Sequence, residues 1–525
     1  MTRPTNRGVR AAAGPLARAL ARTLALTAAV GSTAHAQSLP PATPADGGRF
    51  AASYDSVVAA VTRTYYDTAF VRARWLPAAD TWRPQAARAD TPAAFRAAVG
   101  GLLSTVPASH FYLIPADAVR AVAMGPAAGD AHDRSADAGL VLRVADGRVV
   151  AWRVTPGGPA ARRGLRPGDI VRRVGPHRLD PALRRVLALP DAPARRRALN
   201  ELTAAANGLL AGPAGSAVAV RITRRAAGSR AAGTRTPGAG AGDAHDDGRV
   251  RLVRRPAPGP VVQFGALPPL RPRVWHAQYV VPRPEGDPGG HVAPPAVHPV
   301  SDGAADRARV GVIGFDVWLP TILPALDAAV DSLRGCDALV LDLRGNPGGV
   351  AHMVAGVAGH LLDTAASLGT LRDRTTTLRF VANPRRATAD GRTVRPFAGP
   401  VAVLVDGQTA STSEIFAGGL QALGRARVFG EPSAGQALLA HTRRLPTGDV
   451  LVHAVADLAG PDGRRLEGAG VVPDVHVPLR RADLARGADA PLAAALRWAA
   501  AAAPRPRGAG RCGSAGPTAS RLMGG

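Results

Sequence analysis

Between residues 308 and 480, the chain alternates short apolar runs typical of buried strands with amphipathic runs typical of helices. The strand-like runs include VGVIGF, ALVLDLRG, VAVLVD and ARVFG, and they are separated by LPALDAAVDSL, HMVAGVAGHLL and SEIFAGGLQAL. Strands that are apolar throughout are buried on both faces, and helices between them can cover those faces. We therefore predict a layered α/β domain over residues 301–480.

The rest of the chain predicts further units. Apolar residues in RFAASYDSVVAAVTRTYYD and TPAAFRAAVGGLLSTV recur at helical spacing, so residues 48–124 are expected to form a helical N-terminal domain. Residues 136–226 combine short alternating strands with Gly and Pro turns, which predicts a small β domain. Gly, Ala and Pro dominate residues 227–300, where we expect a flexible insertion with one strand at WHAQYVVP. Residues 481–525 are expected to hold one helix and a disordered tail.

The N-terminus carries the features of an export signal. Basic MTRPTNRGVR precedes the apolar LARALARTLALTAAVGSTA, and AHA before Gln37 fits a small-x-small cleavage site. We predict a signal peptide over residues 1–36, a low-complexity leader over residues 37–47, and a secreted or periplasmic mature protein. If the signal stays uncleaved, it anchors the protein to the membrane.

Charge and cysteine content exclude several classes of function. All 65 basic residues are arginine, the formal net charge is +26, and the chain has no lysine. Nucleic-acid binding needs clustered basic residues beside aromatic platforms, whereas here the arginines are scattered and only 4% of residues are aromatic. We expect no nucleic-acid partner. Cys336 and Cys512 are too few for a thiolate zinc cluster or a disulfide framework, and we expect no metal and no cofactor.

Two strings carry residues suited to acyl-transfer chemistry. GQTASTSEIFAGG presents serines after an apolar strand, at the start of a helix, and LVLDLRGNPGGV at residues 339–350 ends a strand in glycines. Backbone N–H groups of such glycines can face a developing anion. A serine also needs a neighbouring base, and arginine cannot serve because it stays protonated. Histidine is the side chain suited to this role near neutral pH.

Together with LEGAGVVPDVHV, these strings resemble the C-terminal-processing, or tail-specific, serine proteases. GLVL followed by VTPGGPAARRGLRPGDIV resembles a PDZ domain of the bacterial protease type. The resemblance implies an α/β (α+β) multidomain protein whose protease domain has a crotonase-like layered fold. It also implies Ser411 as the nucleophile, with an oxyanion hole made by the backbone N–H of Thr412 and that of Gly348 or Gly349.

The base distinguishes two branches of this family. The best-known branch uses a lysine, and Gln436 stands at its position in this chain. In one interpretation the protein is an inactive relative that binds a peptide or another ligand, and Ser411 is a helix N-cap. In the other, the chain is similar to the tricorn-core branch, with His110 of STVPASHFYLIP as base and Glu467 of LEGAGVVPD as the acid that orients it.

Other acidic residues and histidines are alternative candidates for the orienting acid, for a helix-capping role or for a metal site. Glu431 and Asp474 compete with Glu467 as the orienting acid, and Glu414 is expected to serve the helix N-terminus through its dipole. His352 and His360 share one helical run but lack a third ligand at matching spacing, so we predict no metal site there.

The PDZ-like unit suggests how a substrate is held. In such domains an extended peptide adds to a sheet edge, and backbone N–H groups hold its terminal carboxylate. The expected peptide-binding residues are Gly139, Leu140, Val141 and Leu142. We thus predict an exported serine endopeptidase that cleaves extended C-terminal segments of protein or peptide substrates through an acyl-enzyme.

Overall fold

The computed structural model describes residues 46–116, 136–225, 245–262, 270–283 and 307–504. The predicted signal peptide, all but the last two residues of the predicted leader, and Cys512 lie outside these residues. Within the described part of the chain, no helix is both long and apolar enough to cross a membrane.

The N-terminal unit is helical, as its apolar spacing predicts. Its elements are α1 (Asp46–Thr64), the consecutive helical segments Thr68–Phe70 and Val71–Trp75, α2 (Leu76–Ala87) and α3 (Pro92–Leu103). Thr91 caps α3 by accepting a hydrogen bond of 3.2 Å from the Ala94 N–H. The buried core of this unit, including Trp75 and Phe95, packs against Leu451. The chain then enters a short strand, β1 (Tyr112–Ile114).

The second unit, which we call the PDZ-like unit after its sequence resemblance, is built on an antiparallel sheet with strand order β3-β4-β5-β7-β8. Its strands are β2 (Ala136–Asp137), β3 (Leu140–Ala145), β4 (Arg148–Val154), β5 (Ile170–Val174), β6 (His177–Arg178), β7 (Ala217–Arg225), β8 (His245–Val253) and β9 (Arg255–Pro256). Its helices are α4 (Pro159–Arg162), α5 (Leu179–Leu187) and α6 (Ala192–Gly208). Strand β3 lies at one edge of this sheet, beside α6.

Part of the stretch 227–300 differs from the expected flexible insertion, because residues 245–253 form a strand. Strand β8 pairs with β7 along its whole length, so the PDZ-like unit extends to Val253 instead of ending at residue 226. Val250 and Leu252 alternate with arginines, and Leu252 is buried in the core of the unit. The Gly/Ala-rich composition around this strand hid its two-residue alternation. The predicted strand at WHAQYVVP is confirmed as β10 (Val274–Pro282).

The α/β unit is built around a six-stranded sheet. Its strand order is β10-β11-β12-β15-β16-β19, and only β10 is antiparallel to its neighbour. The remaining strands are β11 (Arg307–Phe315), β12 (Ala338–Asp342), β15 (Val401–Val405), β16 (Arg427–Gly430) and β19 (Val475–His476). Every residue of β12 and β15 is buried, as their continuous apolar sequences predict.

Helices cover both faces of this sheet. One face packs against α7 (Leu323–Leu333), α8 (Met353–Ala358) and α9 (Thr412–Ala422). The short α10 (Arg481–Ala485) and then α11 (Ala490–Ala502) follow, and α11 covers the other face. The unit therefore continues past residue 480, because the predicted C-terminal helix covers one face of its sheet.

A second sheet joins the N-terminal unit to the α/β unit. Its strands are β13 (Ala366–Arg372), β14 (Thr377–Ala382), β17 (Leu439–Arg444) and β18 (Val450–Ala459). Strand β1 pairs with β18, with Leu113 opposite Leu451. Because β1 starts two residues after His110, this pairing fixes the histidine segment against the α/β unit.

Candidate active site

Ser411 lies at a strained turn between a buried strand and a buried helix. Strand β15 ends at Val405, α9 begins at Thr412, and Ser411 has φ 55° and ψ −119°. Among the described residues, only three that are not glycine have positive φ: His110, Asp146 and Ser411. Such conformations cost about 1–3 kcal/mol and persist where the surroundings enforce them, often at functional sites. Two of the three are the residues that the sequence predicts as nucleophile and base.

Backbone hydrogen bonds hold Ser411 in this conformation. Its N–H donates to the Glu414 Oε2 at 2.9 Å and to the Gln436 carbonyl oxygen at 3.0 Å. Ser411 and Glu414 form a capping box at the start of α9. Ser411 is 6% exposed. The turn is thus fixed from both sides, by the helix and by the segment that contains Gln436.

Glu414 binds the loop that contains Gln436. Besides Ser411, it accepts hydrogen bonds from the Ser433 hydroxyl and from the N–H groups of Gly435 and Gln436. Complete burial raises its pKa to about 7, although these donors act in the opposite direction. Its expected place at the helix N-terminus is therefore only part of its role, since the same carboxyl group also orders residues 433–436.

His110 and Glu467 are connected through a residue that the sequence analysis did not identify. The Ser109 hydroxyl donates to the Glu467 Oε2 at 2.9 Å and lies 2.7 Å from the His110 Nδ1. The Ser109 N–H also donates to the Glu467 Oε1 at 2.7 Å. The hydroxyl has one proton, which Glu467 accepts, so the His110 Nδ1–H donates to the Ser109 oxygen. The basic nitrogen of the neutral ring is then Nε2.

The segment around Gln436 connects the hydrogen-bonded series of Glu467, Ser109 and His110 to Ser411. The Ala437 N–H donates to the Glu467 Oε2 at 2.9 Å, and the adjacent Gln436 carbonyl accepts from the Ser411 N–H. His110, Glu467 and Ser411 are all buried, and burial raises the Glu467 pKa. The structure therefore brings the three predicted residues into one bonded assembly, with Ser109 as an added member.

The glycine loop, residues 345–349, lies directly against Ser411. A Cβ atom placed on Gly348 would lie 2.7 Å from the Ser411 Cβ and 3.0 Å from the Thr412 nitrogen, so only glycine fits there. Gly349 accepts a hydrogen bond from the Thr412 hydroxyl at 2.9 Å through its carbonyl. The Gly348 N–H donates to the Asn346 Oδ1 at 3.0 Å, which occupies it in this arrangement. Asn346 was not singled out from the sequence.

The competing acids have other contacts. Asp474 accepts a hydrogen bond of 2.7 Å from the N–H of Val428 in β16 and thereby holds that strand in place. Burial, followed by the neighbouring Asp406 carboxylate, raises the pKa of Glu431 to about 7. Of these acids, Glu467 is the one that is hydrogen-bonded to His110 through Ser109.

The two histidines considered for a metal are placed differently. His352 is exposed, and His360 is buried between Asp327 (Nε2 to Oδ1, 2.9 Å) and Arg334 (Nη2 to Nδ1, 3.1 Å). Burial lowers the His360 pKa. Across the described residues, no group of three or more His, Cys, Asp or Glu side chains is arranged to hold a metal ion.

The PDZ-like unit contacts the loops that build this site. The Arg143 Nε donates to the Asp406 Oδ2 at 2.8 Å, and the Asp406 Oδ1 accepts from the Gly345 N–H at 2.9 Å. Arg196 of α6 donates to the carbonyl of Gly468, the neighbour of Glu467. A cavity of about 700 Å³ lies between the two units, beside these contacts.

The site combines a strained serine, a buried histidine and a buried glutamate on an α/β scaffold, and comparisons with known proteins indicate what this chain resembles. Residues 310–477 match the model of peptidase family S41. The chain is 30% identical over 187 residues to a carboxyl-terminal-processing protease of Picosynechococcus, covering 35% of this chain and 43% of that one. It is 27% identical over 173 residues to a probable CtpA-like serine protease of Staphylococcus aureus, covering 33% and 34%. These matches span less than half the length of each relative.

Among solved structures, the photosystem II D1 C-terminal processing protease matches with a TM-score of 0.51 and 22% identity. The match covers 87% of this chain and 99% of that one, and it supports the predicted multidomain α/β fold. Taken together, the comparisons show that residues 310–477 are similar to peptidase family S41 and that the chain is similar to C-terminal-processing proteases over part of their length.

Proposed function

We propose that the protein is a serine endopeptidase in which Ser411 is the nucleophile and His110 the general base. The observation that carries this proposal is the chain from Glu467 through Ser109 to His110, which is bonded to the segment that holds Ser411. Glu467 and Ser109 act as positioning residues, because they hold the imidazole in the tautomer with a basic Nε2.

The proposed reaction proceeds through an acyl-enzyme. His110 accepts the hydroxyl proton of Ser411 as the serine oxygen attacks the scissile carbonyl carbon. The same proton passes to the leaving amine when the peptide bond breaks. A water molecule, deprotonated by His110, then hydrolyses the ester and restores Ser411.

Backbone N–H groups next to Ser411 stabilise the oxyanion in this proposal. Thr412 and Gly349 are the donors we favour, because the N–H of Gly348 is occupied by Asn346. Gly348 contributes by allowing the glycine loop to approach Ser411 closely. Loss of one such donor typically lowers kcat by about 10²–10³.

Gln436 has no role as a base in this mechanism. Its backbone N–H and carbonyl hold Glu414 and Ser411, and an amide side chain cannot accept a proton near neutral pH. Ser411 is therefore activated without the lysine of the better-known branch.

We propose further that the substrate is an extended C-terminal segment of a protein, held by the PDZ-like unit at Gly139–Leu142, and that the mature protein is exported. Strand β3 supports the first point, since it lies at the edge of its sheet, where a peptide strand can add. The basic, then apolar, N-terminal sequence supports the second.

Cleavage of unfolded casein at pH 7–8 tests this function. The mature protein is expected to degrade casein, and Ser411→Ala is expected to leave it intact. Ser104→Ala is a matched control, since Ser104 is exposed and its hydroxyl bonds only within its own helix end, to the Gly101 carbonyl. A folded wild-type protein without turnover would instead favour an inactive binding protein of the same fold.

A further inference from the structure

The free edge of strand β3 is occupied by a side chain of the same domain. Strand β3 pairs with β4 on one side only, and α6 lies along its other side. The Leu142 N–H donates to the Asn207 Oδ1 at 2.7 Å, and the Asn207 Nδ2 donates to the Leu142 carbonyl at 3.0 Å. Both backbone groups of Leu142 that point away from β4 are thus bonded to one amide, and the carbonyl also accepts a hydrogen bond of 3.0 Å from the Arg143 Nη1.

Asn207 makes the same two hydrogen bonds to Leu142 that a residue of an added peptide would make. A peptide residue paired with Leu142 has to accept a hydrogen bond from its N–H and donate one to its carbonyl. The primary amide of Asn207 offers an acceptor and a donor at the same spacing. Leu142 is fully buried, so without such a partner its N–H would be left without a hydrogen bond, whereas its carbonyl would keep the one from Arg143.

Asn207 is also placed so that it can be displaced. It lies in the last turn of α6 and is only partly buried. Its Nδ2 has a second acceptor, the Thr203 carbonyl at 2.9 Å, to which it can remain bonded when the contact with Leu142 is broken. Partly buried apolar side chains on both elements, Val144 on β3 and Leu199 on α6, pack against the same core.

We propose that Asn207 occupies the place of one peptide residue on the edge of β3 and that a substrate binds by displacing it. The ligand is an extended peptide whose terminal carboxylate lies near Gly139, and one of its residues takes over the two hydrogen bonds to Leu142. This inference rests on the proposed peptide-binding role of the unit. Asn207 then sets the affinity for C-terminal peptides, because each binding event has to break its contact with the edge.

Peptide binding tests the displacement separately from proteolysis. Fluorescence anisotropy would use a labelled apolar ten-residue peptide with a free carboxylate, and the full chain carrying Ser411→Ala so that nothing is cleaved. Two hydrogen bonds of ordinary net strength hold Asn207 against Leu142, so the edge of β3 is open in roughly a tenth of molecules or fewer. Adding Asn207→Ala should therefore tighten binding at least about tenfold, whereas the same peptide ending in an amide should bind both proteins more weakly.

Controls make a negative result informative. Asn200→Ala removes an amide from the same helix, on the side that faces Gly407, and should leave peptide affinity unchanged. Asn207→Ser, which is too short to span both backbone groups of Leu142, should give a gain in affinity of the same sign if Asn207→Ala does not fold. Equal or weaker binding by folded Asn207 variants, or no binding by any protein, would overturn the proposal. Labelling of Ser411 by a fluorophosphonate in the otherwise wild-type chain would report on the proposed protease function independently.

Discussion

The amide N–H of Ser411 donates a hydrogen bond of 3.0 Å to the carbonyl oxygen of Gln436. Gln436, which stands where the sequence resemblance places a lysine, thus holds the proposed nucleophile through its backbone. Its N–H is bonded to Glu414 as well. A backbone contact does not depend on the side chain, so the absence of a lysine at this position leaves the geometry around Ser411 intact.

Replacement of Gln436 should therefore be tolerated. In Gln436→Ala, both backbone hydrogen bonds remain, and we expect peptidase activity within about threefold of wild type, measured as kcat/KM on an unfolded substrate. Gln421→Ala serves as a control for loss of a glutamine side chain, since Gln421 bonds to Val472 and Asp474 at the far end of α9. Complete loss of activity in a stable Gln436→Ala protein would show that the side chain takes part in the chemistry.

Ser109 should act as a positioning residue. Ser109→Ala removes the acceptor for the His110 Nδ1–H and one donor to Glu467, so we expect kcat to fall by roughly 10² while KM changes little. Ser109→Thr keeps the hydroxyl and should recover most of kcat. Unchanged kcat in Ser109→Ala would mean that Glu467 orients His110 by another path, whereas loss of both kcat and folding would indicate a structural role.

The strained turn at Ser411 predicts a difference between two inactive variants. Glycine adopts positive φ without a Cβ penalty, so Ser411→Gly should have a free energy of unfolding about 1 kcal/mol higher than that of Ser411→Ala, measured by urea denaturation. At Ser332, within helix α7, the order should be reversed, because glycine destabilises a helix by up to about 1 kcal/mol relative to alanine. The same order at both positions would argue against strain at Ser411.

Much of this scaffold follows from local sequence. The continuous apolar runs of β12 and β15 and the Thr91-Pro92 cap of α3 predict their elements, because burial and capping depend on residues close in the chain. Strand β8 was missed because its apolar residues are few and lie within a Gly/Ala-rich stretch. Its partner β7 supplies the long-range pairing that makes it a strand.

The candidate site was predictable only in part. Ser411, His110 and Glu467 follow from the resemblance of their strings to a known family. Ser109 could have been found only as a hydroxyl adjacent to His110, and nothing local distinguishes it from other serines. Its role depends on Glu467, which lies 358 positions away in sequence and reaches it through tertiary structure.

His453 predicts how stability depends on pH. Burial, with smaller effects from the nearby His441 and Arg443, lowers the His453 pKa to about 4 from its usual 6.5. The unfolded chain therefore binds a proton between pH 6.5 and 4 that the folded protein does not, and the free energy of unfolding falls as pH drops through this window. In His453→Asn, we expect the fall between pH 8 and pH 4.5 to be smaller by about 2 kcal/mol.

Urea denaturation at the two pH values measures this effect in each protein. The difference between wild type and variant at pH 8 gives the cost of the substitution itself, and only the additional difference at pH 4.5 reports on protonation. An identical fall in both proteins would mean that His453 is not the group responsible.

Labelling with a fluorophosphonate probe tests the central claim most directly, because the probe reacts only with an activated serine. Wild type should be labelled, Ser411→Ala and His110→Ala should not be, and Glu467→Ala should be labelled more slowly. Labelling of Ser411 that persists in folded His110→Ala, or its absence in folded wild type, would contradict a histidine-activated serine at this site.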